Sequence, residues 1–140
     1  MPAVRQKLHL SSCADFRAQL YLTLPRTFFG RSVINDAPFQ NTDLRESNLC
    51  WNNFMRVDFT DAILTRCDLR ASIFDNVKFV RADLSGADMR RSSFENCDFD
   101  GASLTGVIMS YEQGSAVNLS EEQRSKVAWT NDDGPEPRAG

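Results

Sequence analysis

The residues best equipped for chemistry are four cysteines, Cys13, Cys50, Cys67 and Cys97, and one histidine, His9. A zinc site needs four such ligands, usually as close CxxC pairs that bring two thiolates to one ion. No two of these cysteines form such a pair, and only His9 could join them. The chain also has no glycine-rich phosphate loop and no nucleophile elbow, so phosphate and acyl-transfer chemistry lack their usual frame. No catalytic, cofactor-binding or metal-binding residue is expected. Cys50 is expected to point outward beside Trp51, where its thiol could react, whereas Cys67 and Cys97 fall at inward, packing positions.

Inward and outward are decided by an unusual period. A Phe, Leu or Met recurs at every fifth residue from Phe39 to Met109, fifteen times without a slip. Five residues of α-helix advance a side chain by about 500°, so these groups would spiral around a helix instead of forming a stripe. In a continuous strand an odd spacing would send alternate members to opposite faces. A short extended segment followed by a turn satisfies the spacing, provided the chain coils. Two residues before each centre stands a small or β-branched residue, such as Ala62, Cys67, Ser72 and Val77. It shares the centre's inward face and leaves room for only one large group. Asp or Asn often lies between them (Asp43, Asn48, Asp58, Asp68, Asp83, Asp88, Asp98), where a short polar side chain can bond to turn backbone. Gly86, Gly101 and Gly106 fall two after a centre, where a turn with positive φ is expected.

A longer period counts the sides. Residues one full coil apart lie over each other and should match in shape. At a lag of twenty, ten of eleven centre pairs are identical and the other is Leu69 over Met89, whereas at a lag of fifteen only five of twelve match. The result is four ladders, one of them Phe39, Phe59, Phe79 and Phe99.

The segments Ala82 to Gly86 (ADLSG) and Cys67 to Ala71 (CDLRA) resemble the A(D/N)LXX unit of the pentapeptide-repeat family. The resemblance implies an all-β fold, a right-handed quadrilateral β-helix with the centre and the residue two before it inside. It says little about activity.

A tube of this kind has open ends that need covers. Residues 1–21 are expected to form an N-terminal cap and 22–119 the tube. A capping helix is expected over 120–129, started by Ser120 and Gln123 and carrying Val127 and Trp129 over the last coil. Residues 130–140 are expected to be a disordered tail. At 140 residues, 41% hydrophobic and 25% charged, the chain has the size and composition of one globular domain. No apolar run approaches the roughly 20 residues of a membrane span. None follows Arg5 and Lys7 either, so no signal peptide, no membrane association and a cytoplasmic location are expected.

Function should therefore lie on the walls. The outward positions around Leu49 and Leu69 carry Trp51, Arg70, Arg90, Arg91 and Tyr111, the residue types that dominate binding energy at interfaces, and these five are the candidate partner contact. The expected role is a non-enzymatic protein-protein interaction module with an unidentified protein partner. The family resemblance implies an alternative: a mimic of duplex DNA that binds DNA gyrase or topoisomerase IV and modulates it or protects it from toxins or quinolones. The net charge of −3 argues against direct nucleic-acid binding. A homodimer would form through the tube ends.

Overall fold

The computed structural model describes residues 32–131 and Gly134; the expected cap over 1–21 and the first tube residues, 22–31, lie outside the described residues. From Ser32 the chain winds into a right-handed quadrilateral β-helix. Every rung sits in parallel register on the residue twenty positions later. Strands β1 (Val33–Asn35), β2 (Asn53–Met55), β3 (Ile73–Asp75) and β4 (Ser93–Glu95) pair in that order along one wall. Single bridges such as Pro38 to Asp58, Asp43 to Ile63 and Asn48 to Asp68 build the other three.

The expected ladders fill the interior. Phe39, Phe59, Phe79 and Phe99 stack with ring centroids 5.1, 5.4 and 4.9 Å apart, and Phe54, Phe74 and Phe94 at 5.0 and 5.2 Å. These separations follow the inter-strand spacing of about 4.8 Å. The two ladders meet edge to face, Phe54 on Phe59, Phe74 on Phe79 and Phe94 on Phe99, an arrangement that suits the ring quadrupole.

The corners explain the polar residues. Each expected Asp or Asn bonds the backbone two residues on: Asp58 Oδ1 accepts from Thr60 N at 2.9 Å and Asp98 Oδ1 from Asp100 N at 2.9 Å. Positive φ is found at Gly86, Gly101 and Gly106, and equally at twelve non-glycine corners from Asp36 to Asn96. An L-residue there costs about 1 kcal/mol or more. At two corners of each coil the amide three residues after the centre reaches back to its carbonyl, as in Ala62 N to Phe59 O at 3.0 Å and Cys67 N to Leu64 O at 3.2 Å. Beside Leu49 and Leu69, buried side chains serve the corner backbone. Ser72 Oγ accepts from Asn52 N (3.1 Å) and donates to Leu49 O (3.0 Å), and Ser92 Oγ accepts from Ser72 N (3.0 Å).

The far end is closed differently from the expectation. Ser120 and Gln123 do form a capping box, but the helix is Glu121–Lys126, and Ala128–Thr130 is a strand, β6, parallel to β5 (Ile108–Ser110) with Trp129 opposite Met109. The pentapeptide phase reasserts itself because Val127 and Trp129 cover the last coil only from an extended backbone. Preceding it is a second helix that the sequence reading did not anticipate. Tyr111–Ala116 (α1; Glu121–Lys126 is then α2) is capped by Ser110 and Gln113 in the same way. Ser110–Leu119 and Ser120–Trp129 are thus a tandem decapeptide, each a capped helical turn followed by an extended Val that is buried, Val117 and Val127. Gly114 makes room for the Trp129 ring, since a Cβ there would lie 2.3 Å from Cζ3.

Candidate partner-binding face

On the wall of Leu69 and Met89, an Asp and an Arg flank each inward centre, so both project outward two residues apart. They meet. Arg70 Nε and Nη2 donate to Asp68 at 2.8 and 2.8 Å, and Arg90 Nε and Nη2 donate to Asp88 at 3.0 and 2.6 Å. Arg70 also lies 3.7 Å from Asp88 one coil on, so Asp68, Arg70, Asp88 and Arg90 alternate in sign up the wall until Ile108 ends the series. The two arginine side chains are only 18% and 19% exposed. A basic wall was expected. What the structure places there is a ladder of neutralised, partly covered guanidinium groups.

Trp51, Arg91 and Tyr111 occupy the same corner of successive coils, with Ala71 between Trp51 and Arg91; φ is +61° at Trp51, +53° at Ala71 and +64° at Arg91. Tyr111 opens α1 and stacks on Trp129 with centroids 5.6 Å apart. Arg91 Nη2 donates to the carbonyl of Gly134 at 2.7 Å. Trp51 is half-buried and lines a shallow cleft with Val33, Ala71 and Ile73, on the strand-paired wall. Val33 and Ile73 are 58% and 50% exposed. The five expected contact residues therefore fall along one corner and one wall, but Trp51 belongs to an apolar cleft and Arg70 and Arg90 to the ion-pair ladder. The cleft was not joined to Trp51 from the sequence. Its signal was Ile73 and Val33, apolar residues at a position that in half of the repeats holds Asp or Asn.

One expectation is overturned. Cys50 is fully buried, not outward. Its amide is held by Asn48 Oδ1 at 3.1 Å, and burial, with the Asp68 charge adding to it, pushes the thiol up to about 11. The cause is the stacking of coils, which lays the Asp68 and Arg70 step of the next coil beside it. Cys67 is likewise raised to about 12 and Cys97 to about 11, chiefly by burial.

Three further wall arginines, Arg56, Arg66 and Arg81, pair with acids one coil away. Arg56 bonds Asp36 at 2.6 and 2.9 Å and Arg81 bonds Asp61 at 3.0 and 3.0 Å, hydrogen bonds that hold both carboxyl groups below their ordinary range. Among the described residues no cluster of His, Cys, Asp or Glu is placed to hold a metal ion, and no helix is long and apolar enough to cross a membrane.

Comparison with known proteins bears on this geometry. The family description "Pentapeptide repeats" matches with eight copies over residues 32–70, 53–91 and 72–110, together more than half of the chain. No curated protein matches significantly. Among solved structures, the chain is similar to Rfr23, a pentapeptide repeat protein from the cyanobacterium Cyanothece 51142, at 19% identity over 59% of this chain and 56% of that one, with a TM-score of 0.58. It is similar also to QnrB1, a plasmid-mediated fluoroquinolone resistance protein, at 19% identity over 79% of this chain and 57% of that one, with a TM-score of 0.52. The chain spans about half the length of the first of the structures that it matches. At such identities the likeness is one of fold. With the repeat matched in sequence and the four-sided coil seen in three dimensions, the chain belongs to the pentapeptide-repeat family.

Proposed function

We propose that this tube is a non-enzymatic protein-protein interaction module whose contact is the corner of Trp51, Arg91 and Tyr111 with the adjoining Arg70 and Arg90. The observation that carries the proposal is the grouping of half-buried Trp51 with exposed Val33 and Ile73. An aromatic anchor in a shallow apolar cleft beside fixed guanidinium groups has the residue types of interface hot spots. The ordering cost that a partner usually imposes is small here, because the corner is held by the coils above and below. Carboxylates engaged with arginine and thiols raised by burial are poorly suited to acid-base or nucleophilic work near neutral pH. Among the described residues the three cysteines are free thiols, in keeping with the reducing, cytoplasmic location that we propose.

The test begins with an affinity pull-down on the full chain to identify a partner, followed by affinity measurements. Trp51→Ala and Arg91→Ala should each weaken binding about tenfold or more, about 1.4 kcal/mol. Unchanged affinity in both variants overturns the proposal.

The fold-level likeness to a fluoroquinolone resistance protein favours a second reading, in which the tube mimics duplex DNA and binds DNA gyrase or topoisomerase IV. Its charge is thin for that role. Residues 22–119 hold thirteen acidic and ten basic side chains, net −3, whereas duplex DNA over a five-coil rod of about 24 Å carries about 14 phosphates. A gyrase supercoiling assay decides between the two: no effect at micromolar protein removes the mimic, and relief of quinolone or toxin inhibition establishes it.

A further inference from the structure

The described chain returns to this same corner at Gly134. Its carbonyl accepts a hydrogen bond from Arg91 Nη2 at 2.7 Å, forty-three residues away in sequence. On the other side it lies against Arg90 so closely that a Cβ would sit 2.3 Å from Nη1 and 2.8 Å from Cζ. Its φ is +67°, a conformation that glycine adopts freely and other residues do not. Backbone conformation and clearance therefore both demand glycine. Arg90 cannot easily give way, because Asp88 holds its Nε and Nη2 from behind and its side chain is four-fifths covered.

We propose that the Arg90 and Arg91 corner is a seat for an acidic, glycine-bearing segment. The chain fills this seat in cis with Gly134, so a protein partner using the corner must displace it. The sequence around the glycine complements Arg91, Arg90 being already engaged by Asp88: Asp132 and Asp133 precede it and Glu136 follows, with Pro135 and Pro137 limiting its conformational freedom. The glycine supplies the close approach, and its neighbours in sequence carry charge of the opposite sign. The part concerning a partner rests on the function proposed above; the seat itself does not.

The test uses the full chain, labelled with 15N. In the wild type, Gly134 should show an amide order parameter near that of a rigid backbone, about 0.85, and in Gly134→Ala and Arg91→Gln residue 134 should fall below about 0.6 while the tube amides keep their shifts. A synthetic peptide, Thr-Asn-Asp-Asp-Gly-Pro-Glu-Pro with blocked ends, should then bind the vacated seat of the Gly134→Ala chain. It should shift the Arg90 and Arg91 resonances, and the same peptide with alanine for glycine should not. A mobile Gly134 in the wild type, or an equally rigid one in Arg91→Gln, overturns the seat. Failure of the glycine peptide to bind the Gly134→Ala chain overturns its recognition of acidic segments. If Trp51→Ala and Arg91→Ala both leave partner affinity unchanged while these spectra behave as expected, the partner contact fails and the seat stands.

Discussion

Gln113 and Gln123, ten residues apart, make the same four hydrogen bonds at opposite corners of the tube. Each accepts from its own N-cap amide, Ser110 at 2.8 Å or Ser120 at 2.9 Å, and donates its own amide N–H to the N-cap hydroxyl at 3.1 Å. Each side-chain nitrogen then donates to two carbonyls of the coil below, Gln113 to Met89 and Ser92 at 2.5 and 2.8 Å, Gln123 to Phe99 and Ala102 at 2.7 and 3.1 Å. The tube thus ends without leaving those carbonyls bare, although no further strand covers them.

Removing these amides should destabilise the chain unequally. Gln113 reaches buried carbonyls and Gln123 partly exposed ones. Gln113→Ala is expected to cost about 2–4 kcal/mol and Gln123→Ala about 1–2 kcal/mol, read as shifts in the urea midpoint. Equal costs would show that cap opening, and not the carbonyl contacts, sets the loss.

Two glycines near the same end separate backbone strain from crowding. A Cβ on Gly106, at φ +72°, would meet nothing nearer than 3.9 Å, so Gly106→Ala should cost only the left-handed conformation, about 1–2 kcal/mol. A Cβ on Gly114 would lie 2.3 and 2.5 Å from the Trp129 ring. Gly114→Ala should cost about 1–3 kcal/mol despite alanine's better helix propensity, and should disturb the Tyr111 and Trp129 stack. Near-ultraviolet circular dichroism distinguishes them: the aromatic signal should change in the second variant alone.

The carboxyl groups of Asp36, Asp43 and Asp61 are held below the ordinary value of 3.8 chiefly by hydrogen bonds from Arg56, Arg45 and Arg81. A depressed native pKa contributes stability that is present above the unfolded value and lost as pH falls through the folded one. Stability should therefore be insensitive to these groups from pH 5 upward and should decline below about pH 3.8. Asp61→Asn should flatten that decline slightly, since the pair is exposed and screened. Urea midpoints measured from pH 2 to 6 supply the check; an unchanged acid limb in the variant would mean that Asp61 takes no part.

Thiol labelling reads the burial of the cysteines. With Cys50, Cys67 and Cys97 raised to about 11, 12 and 11, alkylation of the native chain at pH 8 should leave all three unmodified by mass spectrometry, and addition of denaturant should expose them together. Rapid native modification of Cys50 would mean that its wall opens locally.

The five-residue period and the twenty-residue match of centres were enough to place Phe59, Phe79 and Phe99 in one stack, because a narrow interior admits one large side chain per segment and repeats it each coil. The Asx bonds of Asp58 and Asp98 were equally legible, being local. Contacts set by the next coil were not. Cys50 is outward by phase yet enclosed by its neighbours, the charges of Arg70 and Arg90 are offset by acids placed beside them by the turn and, for Arg70, by the next coil, and Trp51 finds Val33 and Ile73 across a corner. The capped helix at Ser110 has the same serine and glutamine in the sequence as the one at Ser120, but it interrupts the five-residue period, which resumes at Val117 and Leu119. Periodicity determined what points inward, since that depends on spacing alone. The tertiary structure decided what the outside offers, because exposure, pairing and the reach of Gly134 to Arg91 depend on which residues the stacked coils bring side by side.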